Sequence, residues 1–214
     1  MSENVNKCPS CGAPRDSYAA VCDYCGHEFK GESSSEVMSD FTTKLEKLDQ
    51  NFGPEKSSNF AMGCLMVCLW LCCFPIMFAI FIIKIIKDKH ANFTGLKAQK
   101  AEAIRNFIVP NSREALLEFS MFIENHVQPI NFLSALTTSG LETQRWNKVW
   151  IDKANQTEQK ANLALKNDPE TLSNIRQSCQ RVNSIYKKNE TIFWISLGVM
   201  AAIFVAIIVI ASIR

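Results

Sequence analysis

The sequence predicts a mainly α-helical membrane protein, and three observations lead to this fold class. Two long segments, Phe60–Ile83 and Ile192–Ile213, are apolar and contain no charged residue. The region between them has apolar residues at helical spacing and lacks the alternating β-branched runs of strands. Four cysteines near the N-terminus stand in two pairs at metal-ligand spacing. We therefore expect a small metal-bound module, two transmembrane helices and a central helical domain.

The cysteine pairs lie at residues 8–11 and 22–25, and each has the spacing C-x2-C followed by glycine. The two-residue gap lets both thiolates of a pair face one ion, while glycine accepts the positive φ that the tight turn needs. Two such pairs form a closed tetrahedral site, which predicts a structural Zn²⁺ ion. Because about 20 residues cannot bury a useful core, the metal must stabilise this ribbon. The predicted metal ligands are Cys8, Cys11, Cys22 and Cys25.

Three other interpretations of this segment are weaker. Two disulfides would suit a secreted mini-domain, but no signal peptide precedes the paired knuckles. A redox-active C-x-x-C pair would need a βαβ context, which does not follow here. His27 lies close enough in sequence to replace a ligand, although four thiolates already complete the site.

The stretch from Cys8 to Phe29, CPSCGAPRDSYAAVCDYCGHEF, resembles the short N-terminal zinc ribbons of many prokaryotic membrane proteins. The resemblance covers about a tenth of the chain. It implies a cytoplasmic module joined to a membrane segment, in a bacterial-type inner or cell membrane. It implies no activity, because ribbons of this kind occur in many unrelated proteins.

The two apolar segments, of 24 and 22 residues, match the roughly 20 residues needed to cross a bilayer. A small-xxx-small stripe of Gly198, Ala202 and Ala206 in the second segment would permit self-association. The first segment contains four cysteines that could be acylated or bind metal, although apolar packing is the commoner role. They are Cys64, Cys68, Cys72 and Cys73.

Two arguments about topology disagree. Within about 20 residues of the membrane, nine Lys and Arg in the central region against four on the outer flanks predict a cytoplasmic centre. Zinc thiolates predict a cytoplasmic ribbon instead, because a reducing compartment protects them from oxidation. We prefer a cytoplasmic ribbon with both segments spanning. The alternative satisfies both arguments: the first segment bends at Pro75, and its two legs of about 18 Å each enter and leave on the cytoplasmic side.

The predicted boundaries are 1–30 for the ribbon, 31–59 for an amphipathic helix and linker, 60–86 for the first transmembrane segment, 87–190 for the helical domain and 191–214 for the second transmembrane segment. Ser33 and Glu36 form a capping box at the start of the amphipathic helix. The apolar stripe of this helix needs a partner, which could be the ribbon, another copy, a different protein or the membrane surface. The stripe consists of Val37, Phe41, Leu45, Leu48 and Phe52.

The helical domain is predicted to begin with two helices. The first runs roughly over Ala91–Ile108, and the second starts at Asn111 or Ser112 and ends before Pro129. The stretch Ile130–Leu136 is predicted to be a short helical or irregular connector.

An antiparallel hairpin with a coiled-coil seam follows. Ser139 and Glu142 form a capping box for a helix of some 27 residues, and Asp168 with Pro169 starts the returning helix. No glycine or proline interrupts the returning helix before the second apolar segment, so it is expected to continue into the membrane. The seam pairs Leu172, Ile175, Cys179, Val182 and Tyr186 with the side formed by Trp146, Val149, Trp150, Ala161 and Leu165.

Catalytic motifs are absent from the sequence. The three histidines form no H-E-x-x-H pair, and neither a phosphate-binding loop nor a nucleophile elbow is present. The group of Glu114, Glu118, Glu124 and His126 is better explained as a solvated helix face than as a metal site. The first 59 residues have a net charge of −4, which argues against nucleic-acid binding.

These observations predict a non-enzymatic, membrane-anchored interaction or scaffold protein. Its partners would be the lipid bilayer and a protein, either a different one or another copy of the chain, and no small-molecule substrate is evident. A zinc- or redox-responsive regulatory sensor is the alternative function. A membrane enzyme with an unrecognised site is the third.

Overall fold

The computed structural model describes residues 7–14, 19–29, 34–51 and 74–213. Within these ranges the chain forms six α-helices and no strand, which confirms the mainly helical fold class for this part of the protein. The helices are α1 (Ser34–Gln50), α2 (Phe74–His90), α3 (Gly95–Asn106), α4 (Arg113–His126), α5 (Thr138–Ala164) and α6 (Pro169–Ile213).

Helix α6 organises the molecule. Its 45 residues form one unbroken helix of about 67 Å, as expected from the absence of proline after its first turn. The N-terminal half packs against α4 and α5, whereas most side chains beyond residue 200 are exposed. Among the described helices, α6 is the one long and apolar enough to cross a membrane. Cys64, Cys68, Cys72 and Cys73 lie outside the described residues, so their role stays a prediction.

The α5–α6 hairpin follows the local signals of the sequence closely. The carboxylate of Asp168 accepts a hydrogen bond of 3.1 Å from the amide of Thr171, and α6 begins at Pro169. Helix α5 has 27 residues, but its cap is Thr137 rather than Ser139, because the Thr137 hydroxyl accepts from the amide of Gly140. Helix α5 therefore has the predicted length, with its N-cap two residues earlier than predicted.

The core lies between α3, α4, α5 and α6, and most of its largest members are fully buried. Trp150 is 3% exposed, and Trp146 stacks on Phe93 at 4.1 Å between ring centroids. Both tryptophans therefore pack within the bundle. The fully buried residues include Ile104, Leu116, Phe119, Ile123, Val149 and Ile175.

The first helix of the domain is shorter than predicted. It covers Gly95–Asn106 instead of Ala91–Ile108, because Thr94 is extended and Gly95 has a φ of +59°. Beyond its C-terminal end, the buried Lys153 donates to the carbonyls of Arg105 and Phe107, and Lys160 donates to that of Val109. These two lysines compensate the free carbonyls that a helix end leaves.

The partner of α1 is the helical domain, which the sequence did not indicate. The buried ring of Phe41 stacks on Phe107 at 4.0 Å, and Lys100 forms an ion pair of 2.5 Å with Asp49. Residues before the first apolar segment thus pack on the domain that follows it. Residues 52–73, which include most of the first apolar segment, lie outside the described residues, so the predicted membrane crossing of this segment stays a prediction.

Helix α2 lies antiparallel along the apolar half of α6. Phe78 stacks on Phe204 at 3.7 Å, and Lys89 at the other end of α2 donates to Glu190 at 2.7 Å. Between them, Ile85 packs in a buried cluster with Phe193 and Leu197.

Gly140 supports a prediction about stability. A Cβ at this position would lie 1.9 Å from the backbone oxygen of Ser134, so Gly140→Ala must displace the connector before α5. We expect a loss of at least the roughly 1–3 kcal/mol typical of overpacking, measured by denaturant unfolding of the full chain in detergent. Gly198→Ala is the matched control, since its Cβ meets nothing within 4 Å. Equal stability of the two variants would contradict the packing described here.

Candidate metal centre

The four cysteines near the N-terminus lie together and could hold a metal ion. Their sulfur atoms are all within 4.8 Å of one another. The Sγ atoms of Cys8 and Cys25 are 3.7 Å apart, and those of Cys11 and Cys22 are 3.6 Å apart. A disulfide would require about 2.05 Å, and these cysteines are free thiols.

Two similar turns position the thiols. In each turn the glycine amide donates to the carbonyl of the first cysteine, from Gly12 to Cys8 at 2.8 Å and from Gly26 to Cys22 at 3.0 Å. The two glycines have φ values of 73° and 70°, a conformation that favours glycine. Isolated bridges between Lys7 and Pro14 and between Val21 and Glu28 close the two turns. The C-x2-C-G spacing in the sequence thus produces the geometry expected from it.

Burial and charge differ among the four thiols. Cys8 and Cys22 are buried beside Phe29, whereas Cys11 and Cys25 are exposed. Burial opposes ionisation of Cys8, but hydrogen bonds from the backbone of Cys11 and Ser10 and from neighbouring thiols lower its pKa to about 6. A backbone hydrogen bond at Ala13 favours ionisation of Cys11, but the neighbouring sulfurs, with Cys25 foremost, raise its pKa to about 12. A divalent cation would favour ionisation of all four groups, because it would bind them as thiolates.

The other histidine and carboxylate candidates do not join this centre. His27 packs its ring against Phe29 at 5.9 Å between centroids. The Nδ1 atom of His126 donates to the carbonyl of Phe122 at 2.8 Å, and Glu124 pairs with Arg181 at 3.0 Å. Among the described residues, the four cysteines are the one group able to hold a metal ion.

The metal-binding segment docks on the turn between α5 and α6. The amide of Ala20 donates to the carbonyl of Ala164 at 3.0 Å, and Ala20 itself is 2% exposed within the main core. Asn167 in the turn donates to the carboxylate of Asp23. Nothing in the sequence pattern indicated this contact, because it joins residues 144 positions apart.

Arg113 at the start of α4 connects the two parts. Its guanidinium lies 3.4 Å from Glu28 of the metal-binding segment and 3.0 Å from Asp168 at the start of α6. Burial would raise the pKa of Asp168, but hydrogen bonds from Thr171 and the charge of Arg113 hold it below its ordinary value. The ionised cap therefore stabilises both the N-terminus of α6 and the docking contact.

No protein-family model matches this chain, and neither does any curated protein or solved structure in the comparisons made.

Proposed function

We propose that this protein is a membrane-anchored interaction protein without catalytic activity, which carries a structural zinc ribbon on a helical platform. The observation that supports this most strongly is the docking of the four-cysteine segment on the α5–α6 turn. A closed metal centre attached to the tip of a rigid bundle offers a binding surface for another protein and leaves no open position for a substrate.

Zinc is the proposed ion because the sulfur separations fit its geometry. A Zn–S bond of about 2.3 Å in a tetrahedron places neighbouring sulfurs about 3.8 Å apart. The separations of 3.6 and 3.7 Å lie close to this value. Four thiolates and no open position are typical of structural sites rather than catalytic ones.

The proposed anchor is α6, with the first apolar segment entering and leaving the bilayer on one side. The segment before it and the domain after it are in contact, which supports this arrangement. The Phe78–Phe204 stack lies 12 residues beyond Ile192, or about 18 Å into the apolar half of α6. Pro75, where the first apolar segment is proposed to bend, lies just beyond this level in the first turn of α2.

Both topology arguments then agree on one orientation. The ribbon, α1 and the helical domain lie in the cytoplasm, which suits the thiolates and also the nine basic residues near the membrane. The ribbon docks near residue 169, and 23 residues of α6 separate that level from Ile192. The metal centre would therefore be held about 35 Å from the membrane surface.

A zinc- or redox-responsive sensor is the second candidate. The exposed positions of Cys11 and Cys25 favour it, since oxidants and chelators can reach them. A membrane enzyme, the third candidate, would need polar groups that converge in a pocket. The adaptor predicts a metal that is held tightly in cells, whereas the sensor predicts a change in the helical domain when zinc is lost.

The topology can be tested in intact cells with an alkyne-bearing amino acid at Tyr24, at Leu163 or added after Arg214, and a membrane-impermeant azide dye. Tyr24 and Leu163 are 73% and 59% exposed, so either site tolerates the change. We expect no labelling at residues 24 and 163 before lysis, and labelling after Arg214. Labelling at only one of the first two positions would refute the same-side arrangement.

A further inference from the structure

We propose that the connector between α4 and α5, residues 127–137, is a second membrane contact that inserts Phe132 and Leu133 into the lipid surface beside α6. The inference rests on the proposed function in one respect, that α6 spans the bilayer. It adds a lipid-binding site on the helical domain itself.

The exposed large apolar side chains of the connector lie at its tip. Leu133 is 85% exposed and Phe132 is 46% exposed, although they are adjacent in sequence. Their apolar neighbours Ile130 and Ala135 are buried at 7% and 0%. Single exposed apolar residues are common on soluble surfaces, but a pair at the tip of a packed loop presents one apolar projection.

The level of this projection along α6 identifies lipid as its partner. The hydroxyl of Ser196 donates to the carbonyl of Phe132 at 3.1 Å, and the side chain of Asn189 accepts from the amide of Ile130 at 3.0 Å. Ser196 lies four residues inside the apolar half of α6, or about 6 Å beyond Ile192. Amphipathic elements at membrane surfaces are buried about 5–10 Å deep, which includes this level.

Several backbone groups of the connector are also paired within it, which lowers the cost of placing it at that depth. The side chain of Asn131 accepts from the amide of Ser134 at 2.8 Å, and the hydroxyl of Ser134 donates to the carbonyl of Asn131 at 3.1 Å. The amide of Thr137 donates to the carbonyl of Ser134 at 3.0 Å. Where water is scarce, unpaired backbone groups are costly, so these internal bonds suit an inserted loop.

The surroundings of the projection resemble a membrane–water boundary. Lys89 lies over the ring of Phe193 at 4.0 Å and within 5.1 Å of Trp194, which is half exposed. The exposed Lys187 and Lys188 lie one to two turns nearer the bundle, at the level expected for phosphate groups. Basic residues above an apolar projection fit an anionic lipid surface better than a second protein.

The test uses the full chain in nanodiscs of equal parts phosphatidylcholine and phosphatidylglycerol. A fluorescent amino acid replaces Leu133, and its quenching is measured with nitroxides on the lipid headgroup, high on the acyl chain or at the bilayer centre. Because the side chain is 85% exposed, the substitution leaves the fold intact. Leu163 is the matched control, since it is also an exposed leucine but lies near the metal-binding end. Ile203 in the apolar half of α6 reports on the span.

We expect residue 133 to be quenched several-fold more than residue 163, most strongly by the shallow acyl-chain nitroxide. Quenching at residue 203 by the central nitroxide, with none at residue 133, would overturn the lipid contact and leave the span intact. Absence of quenching at residue 203 would instead refute the span, and with it both proposals. Quenching at residue 133 that is lost on addition of a second, unlabelled copy would indicate a protein partner and would also overturn the proposal.

Discussion

Cys22→Ser is expected to release the metal and unfold the N-terminal segment while the helical bundle stays folded. Cys22 is one of two buried ligands, so its loss leaves three thiols around an incomplete site. Apparent binding free energies for structural zinc in small modules are roughly 10–16 kcal/mol, far more than this segment's few apolar contacts can replace. Among the residues that the structure describes, the buried cluster around the site consists of Cys8, Cys22 and Phe29, with Ala19 packed against it.

The effect is best measured as zinc per chain together with amide exchange. We expect about one zinc per chain for the native protein, near zero for the variant, and loss of protection confined to residues 7–29. Cys179→Ser is the matched control, because Cys179 is buried in the bundle, where its thiol donates to the carbonyl of Ala154, and it lies outside the four-cysteine cluster. Retention of zinc by Cys22→Ser would show that the four cysteines are not one site.

The same measurement separates the two candidate functions. Ala20 is part of the main core and bonds to Ala164, so unfolding of the ribbon removes one contact from the α5–α6 turn. If protection falls only within the ribbon, the metal is structural and the adaptor stands. If protection also falls along α5 and α6 after chelation, the metal state is transmitted to the domain, as a sensor requires.

Phe41→Ala is expected to detach α1 from the bundle. The ring is 4% exposed, stacks on Phe107 and makes edge contacts with Phe119 at 5.8 Å and Phe122 at 5.9 Å. Truncation of a buried phenylalanine costs about 3–5 kcal/mol, and an isolated helix of 17 residues is only marginally stable, so we expect α1 to detach at that cost.

The readout is amide exchange of residues 34–51 together with the denaturant midpoint of the full chain. Phe41→Leu is expected to keep α1 docked, because it retains much of the apolar volume. Glu46→Ala on the exposed face of the same helix serves as the control for helix propensity. Unchanged protection in Phe41→Ala would mean that α1 is held by other contacts, of which the Lys100–Asp49 ion pair is the first to test.

Short sequence motifs were sufficient to predict the elements that depend on interactions between residues close together in the chain. The four ligands follow from the C-x2-C-G spacing, and the α5–α6 turn follows from Asp168 and Pro169. The predicted limits of α3, Ala91–Ile108, were wrong by four residues at the start and two at the end. The residues before Gly95 are extended, but the sequence has no strong helix-breaking residue ahead of that glycine. His126 was predicted to belong to a solvated helix face, and the structure places its ring beside Trp150.

The sequence by itself therefore determined the four-cysteine cluster that could hold a metal ion, the helical class and the long apolar stretch of α6, since each depends on residues close to one another in the chain. Only the tertiary structure decided where the four-cysteine segment and α1 dock on the helical bundle. It also placed Phe132 beside Ser196, which lies 64 positions further along the chain. Such contacts depend on shape and side-chain pairing between distant segments, and the periodicity of a single segment carries no information about them.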